Sequence, residues 1–289
     1  MRSPIRRASW PLAIICGVVL LSCDKVEHPV IEVIPACDFV DVPEFVPMDS
    51  DVRRILIEDF TAHQCGNFPP AGIKLSDLVD ANPDVIVPLA IHAGNLAGTN
   101  DEFPIDWTCN EGDLFWADLE FPQNPIGRVN RWPSESTSLL PSQWDAQIDS
   151  VINQPAPAGL QVVAEYDEGS NALVVHTHIT WFEQQTGEVK LALLIAENDI
   201  VAPQLWYPNV DPPGPGFVED YEHKHVLRGS VTGAKGLVIE DNPEAGATQQ
   251  VCYSIDWNDN WNVNSCDVIA VVTGENGSVL QSLAVPIGL

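Results

Sequence analysis

The sequence predicts an α/β layer over residues 51–154 followed by an all-β sandwich over residues 155–289. Two observations carry this. From Val52 onward, apolar strand-like runs alternate with segments of helical character, the pattern of a sheet covered by helices. After Gln154-Pro155-Ala156-Pro157-Ala158-Gly159 helical periodicity stops, and short apolar runs separated by turn residues take over.

The first residues read as an export signal. Arg2, Arg6 and Arg7 precede an apolar stretch, Leu12 to Leu21, that is too short to span a bilayer. It ends in Leu20-Leu21-Ser22-Cys23, which resembles a bacterial lipobox and makes residues 1–22 a lipoprotein signal with acylation at Cys23. Several acyl chains give stable anchoring, at about 0.8 kcal/mol per buried CH₂. The bland alternative is an ordinary secretory signal with an unmodified Cys23. Repeated prolines (Pro29, Pro35, Pro43, Pro47) argue against helix and make residues 23–50 an extended tether.

In the α/β layer, Ile55 to Phe60 reads as a buried strand and Pro69 to Ala81 as a helix. Asp84 to Ile91 follows as a strand blemished by Pro88. Leu114 to Leu119 reads as a short helix, Ile126 to Asn130 as a strand and Pro141 to Ile152 as a helix. Beyond the linker, strands are expected at 160–166, 172–181, 189–197, 249–257, 268–273 and 279–285, in an immunoglobulin-like sandwich of roughly seven or eight strands. The proline-rich linker implies that Gly159 to Leu289 folds alone.

The composition fits an exported protein. An apolar fraction of 45% is ample for a core, and the formal charge is −28. Residues 1–22 hold three of the 13 basic residues and none of the 41 acidic ones, so cleavage leaves −31. Such a surface repels phosphate backbones, which excludes nucleic acid as a partner. Of the seven cysteines, Cys37, Cys65, Cys109, Cys252 and Cys266 remain after the signal and the lipid site; five is odd, so at least one thiol is unpaired within the chain. Cys252 and Cys266 flank a loop at Asp259-Asn260 between strand runs. A hairpin there would oppose them in a disulfide worth about 3 kcal/mol.

The chemistry centres on Cys65. An apolar strand runs into His63-Gln64-Cys65-Gly66-Asn67 and then into Phe68-Pro69-Pro70, prolines suited to open a helix. A strand delivering a thiol to a helix N-terminus is the layout of a thioredoxin redox centre, where backbone N–H groups favour the thiolate. Phe68 stands where a resolving cysteine belongs, so intramolecular release of a mixed disulfide is blocked. Pro125 would match the thioredoxin cis-proline, and Glu58 or Asp59 its buried acid, with His63 and His92 nearby. Alternatively, Cys65 is bonded to Cys37 or Cys109, or is a vestige. His176 and His178, and likewise His223 and His225, share strand faces and would form a Zn²⁺ or Cu²⁺ site only if their strands were neighbours. Asn258-Asp259-Asn260-Trp261-Asn262 offers oxygen ligands without an EF-hand's spacing. No metal ligand set and no cofactor is predicted, and no phosphate loop or Ser-His-Asp order is present.

Five blocks resemble a known family: residues 55–67, Ala90-Ile91-His92-Ala93-Gly94, residues 124–131, residues 196–204 and residues 221–228. In this order they are similar to the Omp28-related outer membrane proteins of the Bacteroidota. The resemblance implies a thioredoxin-like domain, a β-sandwich tail and an outer-membrane lipoprotein address. Members often carry Cys-x-x-Cys in the first block; this chain departs there at Phe68. Three functions are consistent with these readings. The first is a lipid-anchored binding or assembly module without turnover, acting on an unidentified protein partner. The others are a monothiol redox protein using Cys65 and a metal-binding surface module.

Overall fold

Strand alternation and burial build the molecule outward from one large sheet. The computed structural model describes residues 42–288. The signal segment, Cys16, Cys23, Cys37 and most of the tether lie outside the described residues. Thirteen strands and three α-helices are present among the described residues, a mixed α/β architecture in which strands in several sheets dominate.

β1 (Ile55–Thr61) and β2 (Ile86–His92) are parallel, joined by helix α1 (Phe68–Ala81). Helix α2 (Asn110–Asp118) leads to β3 (Ile126–Val129), antiparallel to β1, and α3 (Trp144–Val151) closes this half. Pro69 and Pro70 open α1 as expected, because early helical N–H groups lack intrahelical acceptors anyway. Pro88 is accommodated by register. Ala90 N donates to His225 O on the far side of β2, so the missing N–H two residues earlier faces a level that precedes the neighbouring strand.

The second half contributes β4 (Ala158–Asp167), β5 (Ala172–Trp181), β6 (Glu188–Glu197), β7 (Ile200–Trp206), β8 (Gly216–His223), β9 (Val226–Ser230), β10 (Leu237–Asp241), β11 (Thr248–Asp256), β12 (Cys266–Thr273) and β13 (Val279–Pro286). The main sheet runs β13-β12-β6-β9-β2-β1-β3, with β10 also on β6. Strands from both sides of the Pro155 linker therefore share one sheet, joined where Val226 of β9 meets Ala90 of β2. A second sheet, β11-β5-β4, packs over part of the first.

β6 shows the consequence. In Leu191-Ala192-Leu193-Leu194-Ile195-Ala196, the odd residues join the core against β5 and β11. The even ones join a second core with Leu56, Phe60, Leu89 and Phe115. Both faces are covered, so the strand reads as continuously apolar. Near the N-terminus, Val46 exchanges hydrogen bonds with the Gln161 side chain and Phe45 stacks on His178 at 5.3 Å, so the end of the tether docks on β4 and β5.

The expected Cys252–Cys266 disulfide is not formed. β11 lies in the three-stranded sheet and β12 in the main sheet, so the intervening loop crosses between sheets instead of closing a hairpin. Cys266 is a free, buried thiol beside Glu197. Cys252 is disulfide-bonded, but not to Cys65, Cys109 or Cys266, which are free.

Candidate functional site

β1 delivers two acids to opposite faces, because side chains alternate along a strand. Leu56 and Phe60 face α2, with Phe115, whereas Ile55 and Ile57 face α1 and α3. Glu58 follows the even residues. Its carboxylate accepts from Arg128 Nη2 at 2.9 Å and from Arg131 Nη2 and Nε at 2.8 and 3.1 Å, all buried. Burial alone would raise the Glu58 carboxyl, but the two guanidinium groups outweigh it and hold the group below the usual carboxylate range. Arg128 lies over the rings of Phe60 and Phe115, and Arg131 over Phe115 at 4.7 Å.

Asp59 follows the odd residues, toward Cys65. Both its carboxyl oxygens are buried without a hydrogen-bond partner, and burial pushes the group up to about 8. The buried acid near the thiol is therefore Asp59, while Glu58 is neutralised on the other face.

Cys65 sits two residues before the helix cap Asn67. It is free and only 2% exposed. Burial pushes its thiol up and nearby Asp59 adds to this; the N–H groups of Asn67 and Phe68 pull the other way without offsetting it. The lid is the β7–β8 hairpin. Leu205 N donates to His63 O, Tyr207 N to Gly66 O, and the Gln204 amide to Cys65 O. The Tyr207 ring lies so close to Gly66 that an added Cβ there would come within 2.5 Å of it, so only glycine fits beneath. Phe68 packs edge-on against Tyr221, filling its position with an apolar ring. Pro125, in a cis bond with Asn124, lies at the same end of the sheet, next to the Ile126–Phe60 pair.

His63, His92 and His223 form a chain of facing rings, with centroids 6.0 and 5.5 Å apart. Burial, then the neighbouring histidines and Arg228, hold His92 well below its ordinary value. Burial takes His223 down to about 4. The predicted His-x-His pairs do not meet: His176 and His178 are on β5, whereas His223 ends β8 and His225 follows it, in a different sheet. Among the described residues, no three His, Cys, Asp or Glu side chains are arranged to hold a metal ion. The Asn258–Asn262 segment bonds largely to its own backbone and side chains, with Asn262 N donating to Glu197.

Sequence reasoning missed the Glu58–Arg128–Arg131 cluster, the hairpin lid and the His92–His223 contact. The closely spaced Arg128 and Arg131, in and just after a run read as a strand, were the available signal.

The Omp28 outer membrane protein family matches residues 117–288, more than half of the chain. The chain belongs to the Omp28 family. Membership places this protein in the cell envelope, at the outer membrane. No curated protein matches the sequence. Among solved structures, HBP35 of Porphyromonas gingivalis is similar at 17% identity, with a TM-score of 0.61 over 82% of this chain and 76% of that one. An Agrobacterium tumefaciens structural-genomics protein, 13% identical over 81% of this chain and 95% of that one, reaches a TM-score of 0.48, too low to support an argument. HBP35 shows similarity of fold alone at this identity. No helix among the described residues is long and apolar enough to cross a membrane.

Proposed function

We propose that this Omp28-family protein is a binding or assembly module held at the outer membrane by lipid on Cys23. In this reading residues 51–154 form a thioredoxin-like layer without thiol–disulfide turnover, continuous through the main sheet with an immunoglobulin-like sandwich over 155–289. The supporting observation is Cys65 itself. Its thiol is buried beneath β7, raised above its ordinary value, and next to Phe68 where a resolving thiol would stand. Thiolate attack and resolution are both needed for turnover, and neither is favoured here.

The test is insulin reduction with dithiothreitol as electron source. The expected result is no rate above the dithiothreitol background; turnover at a rate typical of dithiol thioredoxins would overturn the reading. Mass spectrometry of the N-terminal peptide checks the anchor, with diacylglycerol on Cys23 expected and an unmodified cysteine refuting it. The second reading, a monothiol redox protein, is favoured by one fact: Cys65 is unpaired and receives two backbone N–H groups.

A further inference from the structure

A cavity of about 300 Å³ lies between α1, the end of β2 and the residues leading from β8 into β9. The innermost polar atoms of its lining are unpaired. Neither oxygen of Asp59 has a partner, nor does His92 Nδ1 or His223 Nε2, and all three residues are at least nine-tenths buried. Backbone carbonyls of Ala202 and Pro203 hold the other ring nitrogen of His223, so that nitrogen carries the proton and Nε2 presents a bare lone pair. Once ionised, Asp59 offers acceptors with nothing to accept from, as His223 Nε2 does. The walls are the rings of Phe68 and Tyr221, and Gly72 leaves space between them: a Cβ there would sit 3.2 Å from Phe68 and 3.4 Å from the Tyr221 hydroxyl. Asp77 and Glu222 stand at the lining, Lys224 is paired with Glu222, and the chain as a whole is strongly acidic. Acceptors without donors, aromatic walls and a negative field select a donor-rich cation with a short apolar body. Among the described residues, no His, Cys, Asp or Glu cluster here is arranged to hold a metal ion.

We propose that this cavity binds a primary ammonium group, with the Asp59 carboxylate as counter-ion and His223 Nε2 as a second acceptor. The proposal deepens the binding-module reading and rests on it. The ammonium is supplied by a free amine or by a lysine side chain of a partner; the chemistry is the same.

Proton linkage gives a signature. In the free protein Asp59 titrates at about 8 and is mostly protonated at about pH 7. The other groups facing it do not titrate there. Cys65 is raised, Tyr221 is pushed up to about 12, His92 is held well below its ordinary value, and His223 and His225 lie at about 4. Asp77, Glu222 and Lys224 also stand at the lining, with Lys224 paired to Glu222. Binding a cation ionises Asp59, so about one proton is released per ligand.

Calorimetric titration of the mature protein at about pH 7, in buffers of different ionisation enthalpy, tests this with n-butylammonium, acetyl-Gly-Lys-Gly-amide and uncharged n-butanol. The expected result is saturable binding of butylammonium, of the lysyl peptide or of both, with release of about one proton, and no binding of butanol. Binding of the amine alone points to a free amine, and binding of the peptide to a partner lysine. Asp59→Asn should weaken binding by about tenfold or more, the loss of a hydrogen bond to a charged group. Ser76→Phe, at the exposed mouth, should do the same by blocking entry, with thermal unfolding showing that each variant is folded. Equal binding of butanol, binding without proton release, undiminished affinity in Asp59→Asn, or no binding of either cation would overturn the proposal. If no cation binds and insulin is not reduced, the ligand assignment fails while the non-catalytic reading stands. Insulin turnover would instead remove that reading.

Discussion

Replacing Glu58 by Gln should cost this protein about 4 kcal/mol of stability. The carboxylate is fully buried and shared by Arg128 and Arg131 at 2.8–3.1 Å. With charge centres about 4 Å apart and an effective dielectric of about 20, each attraction is about 4 kcal/mol. Repulsion between the two guanidinium groups offsets part of the pair. The remainder agrees with the 3–5 kcal/mol or so lost when one partner of a buried ion pair is removed. Gln keeps an acceptor but leaves two buried positive charges. The Phe60 and Phe115 rings still face the guanidinium groups and moderate the loss. Against a total stability of about 5–15 kcal/mol, the effect is large. Urea unfolding at about pH 7, followed by tryptophan fluorescence, should show the midpoint falling by about 1 M or more if the slope is about 3 kcal/mol/M. The acid limb provides a second check. The folded Glu58 lies below its unfolded value of about 4.3, so its contribution is complete above that value and is lost as pH falls through the folded one. The Gln variant should lack this part of the acid destabilisation. A loss below about 1 kcal/mol with an unchanged acid limb would mean that the arginines find other partners, and the charge-cluster argument would be refuted.

Asp59→Asn should have the opposite sign. Its folded value of about 8 exceeds the unfolded value, so wild-type stability declines by about 1.4 kcal/mol per pH unit from about pH 4 to about 8. The Asn variant should lose that slope and gain a few kcal/mol at about pH 7; equal urea midpoints at about pH 5 and 7 in wild type would refute this. Tyr207→Ala should speed native labelling of Cys65 by Ellman's reagent by about tenfold, by opening the lid over Gly66; an unchanged rate would show that β7 is not the barrier. The fragment 159–289 should now fail to unfold cooperatively, contrary to what its proline-rich linker implies. Removing the first half strips β1 and β2 from the sheet and uncovers Ala192, Leu194, Leu227 and Val271; a sharp calorimetric transition in the fragment would refute the shared core.

The sequence by itself determined the local chemistry. A continuous apolar run marked β6, because a strand buried on both faces has no polar alternate there. Pro69 and Pro70 marked the start of α1, because the missing N–H groups are not needed there. The signal Phe68 carried was also local: no thiol stands at that position whatever the fold. Pairing was decided only in three dimensions. Glu58 and Asp59 are adjacent and chemically alike, and a strand's alternation sends them to opposite faces. Which face holds the arginines and which holds Cys65 depends on where α1 and α2 pack. Cys252 and Cys266 lie on strands that were both legible, yet the loop between them changes sheets, which no local pattern reports. β7 to β10 were missed because none carries a sustained strand pattern: Pro203 interrupts β7, acids break up β8, and β9 and β10 are short. Asp199 and His225 adopt positive φ at the turns that aim the hairpin, and the Asn198 side chain accepts from His225 N to tie those turns together. That hairpin covers Cys65, and its last residues line the ammonium cavity. The character of the thiol is thus set by a segment about 140 residues downstream, through contacts that exist only once the chain has folded.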